Sequence, residues 1–169
     1  NHIKKYDCEY IRKGSCSIFM FTEPLGGWRE AHVLPRRTAV DWATQVKWLV
    51  DEAYPDADKI VLIMDNLNTH TTASLYKAFI PEEAYRISQK LEIHYTPKHG
   101  SWLDIAEIEL SALTVQCLLD VRIPTIDDLS RILSTWSQNR NSAQKGVDWH
   151  FTTNVARTKL VHLYPDIKF

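Results

Sequence analysis

The chain has 169 residues, 44% hydrophobic and 24% charged, with a formal net charge of −1. These are ordinary globular values, and a chain of this length buries roughly 70% of the surface it would expose unfolded. No run of 18 apolar residues occurs, which excludes a membrane-spanning helix; no signal-peptide pattern opens the chain, and the basic excess of most nucleic-acid domains is missing.

Any DNA contact therefore has to come from a local basic patch or from other segments of a longer protein. Cys8, Cys16 and Cys117 form no CxxC pair and are odd in number, which fits structural thiols in a reducing, cytoplasmic setting. The first residue is Asn1 rather than Met, as in a piece of a longer protein.

Residues 1–13 are polar and aromatic and read as a partly ordered approach strand. Ser17 to Thr22 is a strand, Glu23-Pro24-Leu25-Gly26-Gly27 is a breaker-rich turn, and Trp28 to Leu34 alternates into a second strand, which together predict a hairpin. Thr38 is suited to cap a helix running to about Glu52, with Val40, Ala43, Val46 and Val50, and Trp48 beside them, on its inner side. Tyr54-Pro55-Asp56 stops that helix. Lys59 to Met64 follows, with five consecutive apolar residues rich in β-branched types, and reads as a strand buried on both faces. It ends in Asp65-Asn66-Leu67-Asn68-Thr69-His70, so Asp65 stands at the carboxyl edge of a sheet, where open α/β sheets place their ligands.

A short helix, Thr72 to Phe79, and a charged one, Pro81 to about Lys90, come next; Pro81 suits a first helical position, and Glu82 and Glu83 favour the positive end of the helix dipole. Leu91 to Tyr95 alternates as a strand, and Thr96 to Gly100 is a loop. A helix is expected from Ser101 to about Leu119, another from about Ile126 to Asn139 behind the capping sequence Thr125-Ile126-Asp127-Asp128, and a last one from about Thr153 to Leu163. Asn139 to Gly146 reads as a polar loop. Two antiparallel strands followed by strand–helix alternation predict an α/β fold with a central mixed sheet flanked by helices. No phosphate-cradling glycine loop and no GxSxG elbow is present, which argues against P-loop, Rossmann and serine-hydrolase chemistry.

On the helix from Ser101, the residues Leu103, Ala106, Leu110, Leu113 and Cys117 form one apolar stripe. Glu107 lies on the flank of that stripe with Asp104 at i−3, and Glu109 falls on the far flank. A carboxylate at the edge of a packed face is partly desolvated and needs a partner, either a divalent cation or a basic side chain. The central expectation is that Asp65 and Glu107 converge at one sheet edge to hold metal ions. The plain alternatives stay open: Glu107 as a boundary acid paired with a lysine or arginine, and Asp65 as a turn-former in a segment rich in such residues. His70 suits a ligand, a phosphate contact or a satisfied loop histidine. Lys98 and His99 form a small positive group able to meet a phosphodiester, or a solvated loop. Trp102 can stack on a base or pack at the surface.

At these residues a family resemblance is visible. Val61 to His70 resembles the "hydrophobic strand, Asp-Asn, then His" segment of DDE-type transposases of the mariner-related bacterial insertion sequences. Tyr95 to Glu107 is similar to the "Pro, short loop, Leu-Asn-x-x-Glu" segment of the same family, at a compatible separation of 42 positions. The resemblance runs from the hairpin near Ser17 to Asp148-Trp149-His150-Phe151. It implies a ribonuclease H-like fold and a triad of two Asp and one Glu binding two divalent ions, Mg2+ or Mn2+. Asp65 would be the second Asp and Glu107 the Glu. Paired hard cations about 4 Å apart would activate water or a DNA 3′-hydroxyl and stabilise the leaving oxygen of an in-line phosphoryl transfer. Asn66, His70, Lys98, His99, Trp102 and Asp104 are the candidate DNA contacts. The implied partners are transposon ends and target DNA, with homodimerisation and a nucleoid-associated cytoplasmic location.

Two departures from the pattern stand out. Leu103-Asp104 replaces Leu-Asn, which puts a charge beside the site. The first Asp of the family lies on a strand before the hairpin, and neither Asp7 nor Glu23 occupies that place. The expectation is a single domain over residues 1–169, the C-terminal part of a longer transposase lacking its first strand and helix-turn-helix region, with the helices from about 124 as an extension and no activity in isolation. The rival readings are an inactive or domesticated fragment acting as a binding module, and another ribonuclease H-like nuclease.

Overall fold

The computed structural model describes residues 14–96, 104–143, 146, 152–159 and 161. The hairpin forms as its alternation predicts. Strand β1 (Ser17–Glu23) pairs antiparallel with β2 (Trp28–Leu34), from Ser17 opposite Leu34 to Glu23 opposite Trp28. Gly27 closes the turn with φ of 70°, a left-handed conformation that glycine adopts without the clash a Cβ would bring, and donates its N–H to Glu23 O at 2.9 Å.

Helix α1 (Ala39–Trp48) continues into a π-helical turn, Leu49–Ala53. Its start is a reciprocal cap: Thr38 Oγ1 accepts from Asp41 N at 3.3 Å, and Asp41 Oδ2 accepts from Thr38 N at 2.7 Å. The buried side is Trp42, Ala43, Val46, Leu49 and Val50. Val40, expected on that side, is 47% exposed.

Strand β3 (Ile60–Met64) leads into α2 (Thr72–Ala78), α3 (Pro81–Gln89) and β4 (Leu91–Tyr95), which returns parallel to β3 with Ile60 opposite Leu91 and Met64 opposite Tyr95. Pro81 is at the start of α3, as expected. Helix α4 (Ile105–Leu113) ends in a second π-helical turn, Thr114–Leu118. Asp104 caps it, accepting from Ala106 N at 2.9 Å with an extended backbone, so the helix begins at Ile105 and not at Ser101. Helix α5 (Ile126–Ser142) is capped by Thr125, whose Oγ1 accepts from Asp128 N at 3.1 Å. It runs three residues past its expected end at Asn139, into the stretch expected as loop. Helix α6 is Thr153–Lys159.

Two cores lie on opposite faces of the strands. Trp42, Val46, Val50, Met64, Leu75 and Ile87 make one, with Phe19 packed against it. Ala31, Leu113, Leu129, Leu133 and Trp136 make the other, with Ile18 and Met20 against it. The alternation of side chains along β1 thus sends Phe19 to α1 and its neighbours to α4 and α5. The result is a mixed α/β arrangement with six α-helices among the described residues.

Two expectations need correction. One central mixed sheet was predicted; among the described residues the ladders form two separate two-stranded sheets, β1–β2 and β3–β4, because β1 and β3 share no hydrogen bonds. β3 was read as buried on both faces. Ile60, Leu62 and Met64 do pack inward, but Val61 is 59% and Ile63 63% exposed. An unbroken apolar run reports what each side chain can bury, and among the described residues only the Ile60, Leu62 and Met64 face of β3 packs into a core.

Candidate active site

The site is built on the ends of β3, β4 and α4. Asp65 follows the last residue of β3 with its side chain half exposed. The segment after it is held by its own bonds: His70 N donates to Leu67 O at 2.8 Å, and Ser74 Oγ donates to Thr69 O at 2.8 Å. This fixes His70, whose Nδ1 lies 2.5 Å from Asp65 Oδ1. The ring stacks on Trp42 of α1, with centroids 5.8 Å apart and planes 23° apart. Tyr95, at the end of β4, donates its hydroxyl to His70 O at 2.9 Å. The Asp–His contact therefore rests on three elements, and a histidine so placed orients the carboxylate beside it.

Asp104 and Glu107 are one turn apart at the start of α4, where Glu107 N donates to Asp104 O at 3.1 Å. Asp104 is half-buried and Glu107 exposed. The Asp104 carboxyl is pushed up from its ordinary value, first by burial and then by the negative charges of Glu107 and Asp65. Asp104 lines the same groove as Ile63 of β3, two residues before Asp65. Among the described residues, no three His, Cys, Asp or Glu side chains form a group that could hold a metal ion. The donors present are hard carboxylate oxygens of the kind Mg2+ and Mn2+ take, and Mg2+ typically binds through one or two carboxylates plus waters and phosphates. Asp65 and Glu107 thus fit in chemistry, with one Asp65 oxygen already engaged by His70.

Of the other candidates, Asn66 is exposed just beyond Asp65. Lys98, His99 and Trp102 lie outside the described residues. Trp42 and Tyr95, which position His70, were missed as site residues. Trp42 carries no local motif, and only its place on the buried side of α1 distinguishes it. Glu107 and Glu109, expected on the two flanks of the apolar stripe of α4, differ in burial. Glu107 is exposed, whereas Glu109 is 4% exposed, with Oε2 3.2 Å from Arg29 Nε and Oε1 accepting from Arg140 Nη2 at 3.1 Å. The helix is turned so that Glu109 faces β2 and α5, and Glu107 is exposed.

A family model described as DDE superfamily endonuclease matches residues 3–130. No curated protein and no solved structure matches significantly. The matched region takes in the hairpin, the β3 strand with Asp65, β4, α4 with Glu107 and the start of α5. It covers well over half of the chain, and the chain therefore belongs to the DDE superfamily endonuclease family.

Proposed function

We propose that the chain forms a transposase catalytic domain of the mariner-related bacterial insertion-sequence type, acting on DNA by metal-dependent phosphoryl transfer within a ribonuclease H-like fold. The observation that carries this reading is the place of Asp65 just past the end of β3 and of Asp104 and Glu107 at the start of α4, in a chain of the DDE endonuclease family. Asp65 and Glu107 would hold Mg2+ or Mn2+, which when bound supplies Lewis-acid activation of the attacking oxygen and charge neutralisation at the leaving one. His70, fixed by Trp42 and Tyr95, keeps the Asp65 carboxylate aimed outward from the sheet edge. Asp104 caps α4 and sets the direction in which Glu107 leaves the helix. DNA ends and target are the proposed partners, with Asn66, Lys98, His99 and Trp102 as contacts.

Mn2+ titration by calorimetry on the 169-residue chain, with Asp65→Asn and Glu107→Gln variants, tests the assignment. Each variant should lose about tenfold or more in affinity, the cost typical of weakening a metal site. Equal affinity in all three proteins refutes the assignment. A second reading, a non-catalytic binding module, is favoured by the 2.5 Å Asp65–His70 contact, which occupies one carboxylate oxygen. His70→Ala separates the two. Tighter Mn2+ binding in that variant supports the module reading, and weaker binding supports a histidine that positions a ligand.

A further inference from the structure

A cavity of about 660 Å³ lies along β2, apart from the acids of the candidate site, and is of the size that takes a ligand. Glu30 and His32 of β2 line it together with Trp48 and Glu52, from α1 and its π-helical turn. Ser130 and Ser134 of α5 close the other side. The two helices cover opposite faces of the hairpin, so the space between them is the outer edge of β2, the edge turned away from β1.

The backbone polar groups along this edge can be assigned. Arg29 N donates to Asn141 Oδ1 at 2.9 Å, and Arg29 O accepts from Asn141 Nδ2 at 2.8 Å. The backbone of Arg29 thus points away from β1, and in an antiparallel ladder every second residue does the same. Ala31 and Val33 therefore turn their N–H and C=O groups into the cavity that they line. Asn141 meets the edge at Arg29 by imitating a strand; among the described residues nothing does so at Ala31 or Val33. Ala31 is only 5% exposed, and backbone groups so enclosed nearly always have a partner.

The charge of the slot says what kind of partner fits. Lys47, on the same wall, is already shared by Asp51 and Glu83, each at 2.5 Å. Glu30 and Glu52 form no ion pair among the described residues, so the uncompensated charge is negative. His32 is fixed by donating Nδ1–H to Gln45 Oε1 at 2.5 Å, and its ring meets Trp48 edge-on with centroids 4.3 Å apart. Carboxylates beside an aromatic ring are surroundings that a guanidinium or ammonium group seeks.

We infer that the outer edge of β2 is a docking slot for an extended basic segment of another protein, which adds as a strand at Ala31 and Val33 and sets an arginine or lysine against Trp48, Glu30 and Glu52. Strand addition supplies the backbone bonds, and alternate side chains supply the selection. Cationic side chains go to the α1 wall, and small ones between them to the α5 wall at Ser130 and Ser134. A second copy cannot offer its own β2, because that edge is recessed between its own α1 and α5, and the helices meet before the strands do. Within this chain β1, β3 and β4 are held in their own ladders and none pairs with this edge among the described residues. The slot is independent of the metal reading.

Hydrogen exchange on the 169-residue chain tests this, with a capped synthetic peptide of alternating Arg and Val as the probe. The amides of Ala31 and Val33 should slow by at least about tenfold on saturation, while those of Glu30 and His32, which face β1, should not change. The same peptide N-methylated at its valines, or carrying Glu in place of Arg, should neither bind nor protect. Val33→Pro removes a slot-facing N–H without touching the β1 ladder, which edge strands tolerate, and should abolish binding. Glu30→Gln with Glu52→Gln keeps the backbone edge and should weaken binding by about tenfold. Equal binding of the N-methylated or Glu peptide, protection without the alternation, or no binding at millimolar peptide overturns the proposal. Ala31 and Val33 amides protected without peptide also overturn it, in favour of a second copy where protection rises with protein concentration and of this chain's own residues where it does not. Asp65→Asn should bind the probe as the natural chain does, so failure of the metal assignment and failure of the slot are distinguishable.

Discussion

Replacing Glu109 by alanine tests how α4, and with it Glu107, is held in place. Glu109 is 4% exposed, and its carboxylate lies between Arg29 of β2 at 3.2 Å and Arg140 of α5 at 3.1 Å. Arg29 is wholly buried, and its Nη1 also donates to Gly27 O at 3.1 Å. The Arg29 Nε–Glu109 Oε2 approach is close but poorly aligned for a hydrogen bond, so the pair acts through charge more than direction. Alanine removes the anion that lies between the wholly buried Arg29 and Arg140, whose side chain is 23% exposed. Breaking a buried pair in this way costs about 3–5 kcal/mol. At about 2–4 °C per kcal/mol for a chain of this size, Tm should fall by roughly 6–20 °C. Thermal unfolding followed by far-UV circular dichroism measures it. Replacing all three groups together (Arg29→Met, Glu109→Leu, Arg140→Leu) should recover most of the loss, because no charge is then stranded. A Glu109→Ala variant melting within about 2 °C of the natural chain would refute the reasoning, since the arginines would then be reaching water.

Three further outcomes are expected. Leu133→Ala, at a wholly buried position of the second core, should cost about 2–5 kcal/mol in urea unfolding with an unchanged denaturant slope. Glu83 is held down at about 2, chiefly by Arg86 and then by Lys47, and Asp51 is lowered by Arg86 as well. Depressed carboxylates stabilise the fold above their ordinary range and lose that contribution as pH falls through the folded value. Stability should therefore hold near neutrality and decline from about pH 4.5 towards 2, by only about 1 kcal/mol because the cluster is partly exposed; an Arg86→Gln variant with the same acid dependence would argue against this cause. Asn141→Leu removes both bonds to the Arg29 backbone, costs about 1–3 kcal/mol, and should raise self-association seen by light scattering.

The sequence by itself determined what a few neighbouring residues encode. The hairpin from Ser17 to Leu34, the caps at Thr38 and Thr125, the start of α3 at Pro81 and the placing of Asp65 at a strand end all follow from local alternation and capping chemistry. Only the tertiary structure decided which acid of α4 is buried, since Glu109 is selected by Arg29 and Arg140 on other elements and not by the spacing of its own helix. The same holds for the open face of β3 and for the gap between the two ladders. Hydrogen bonds between strands, and the helices that cover them, join residues far apart along the chain, and no local pattern states which of those partners will meet.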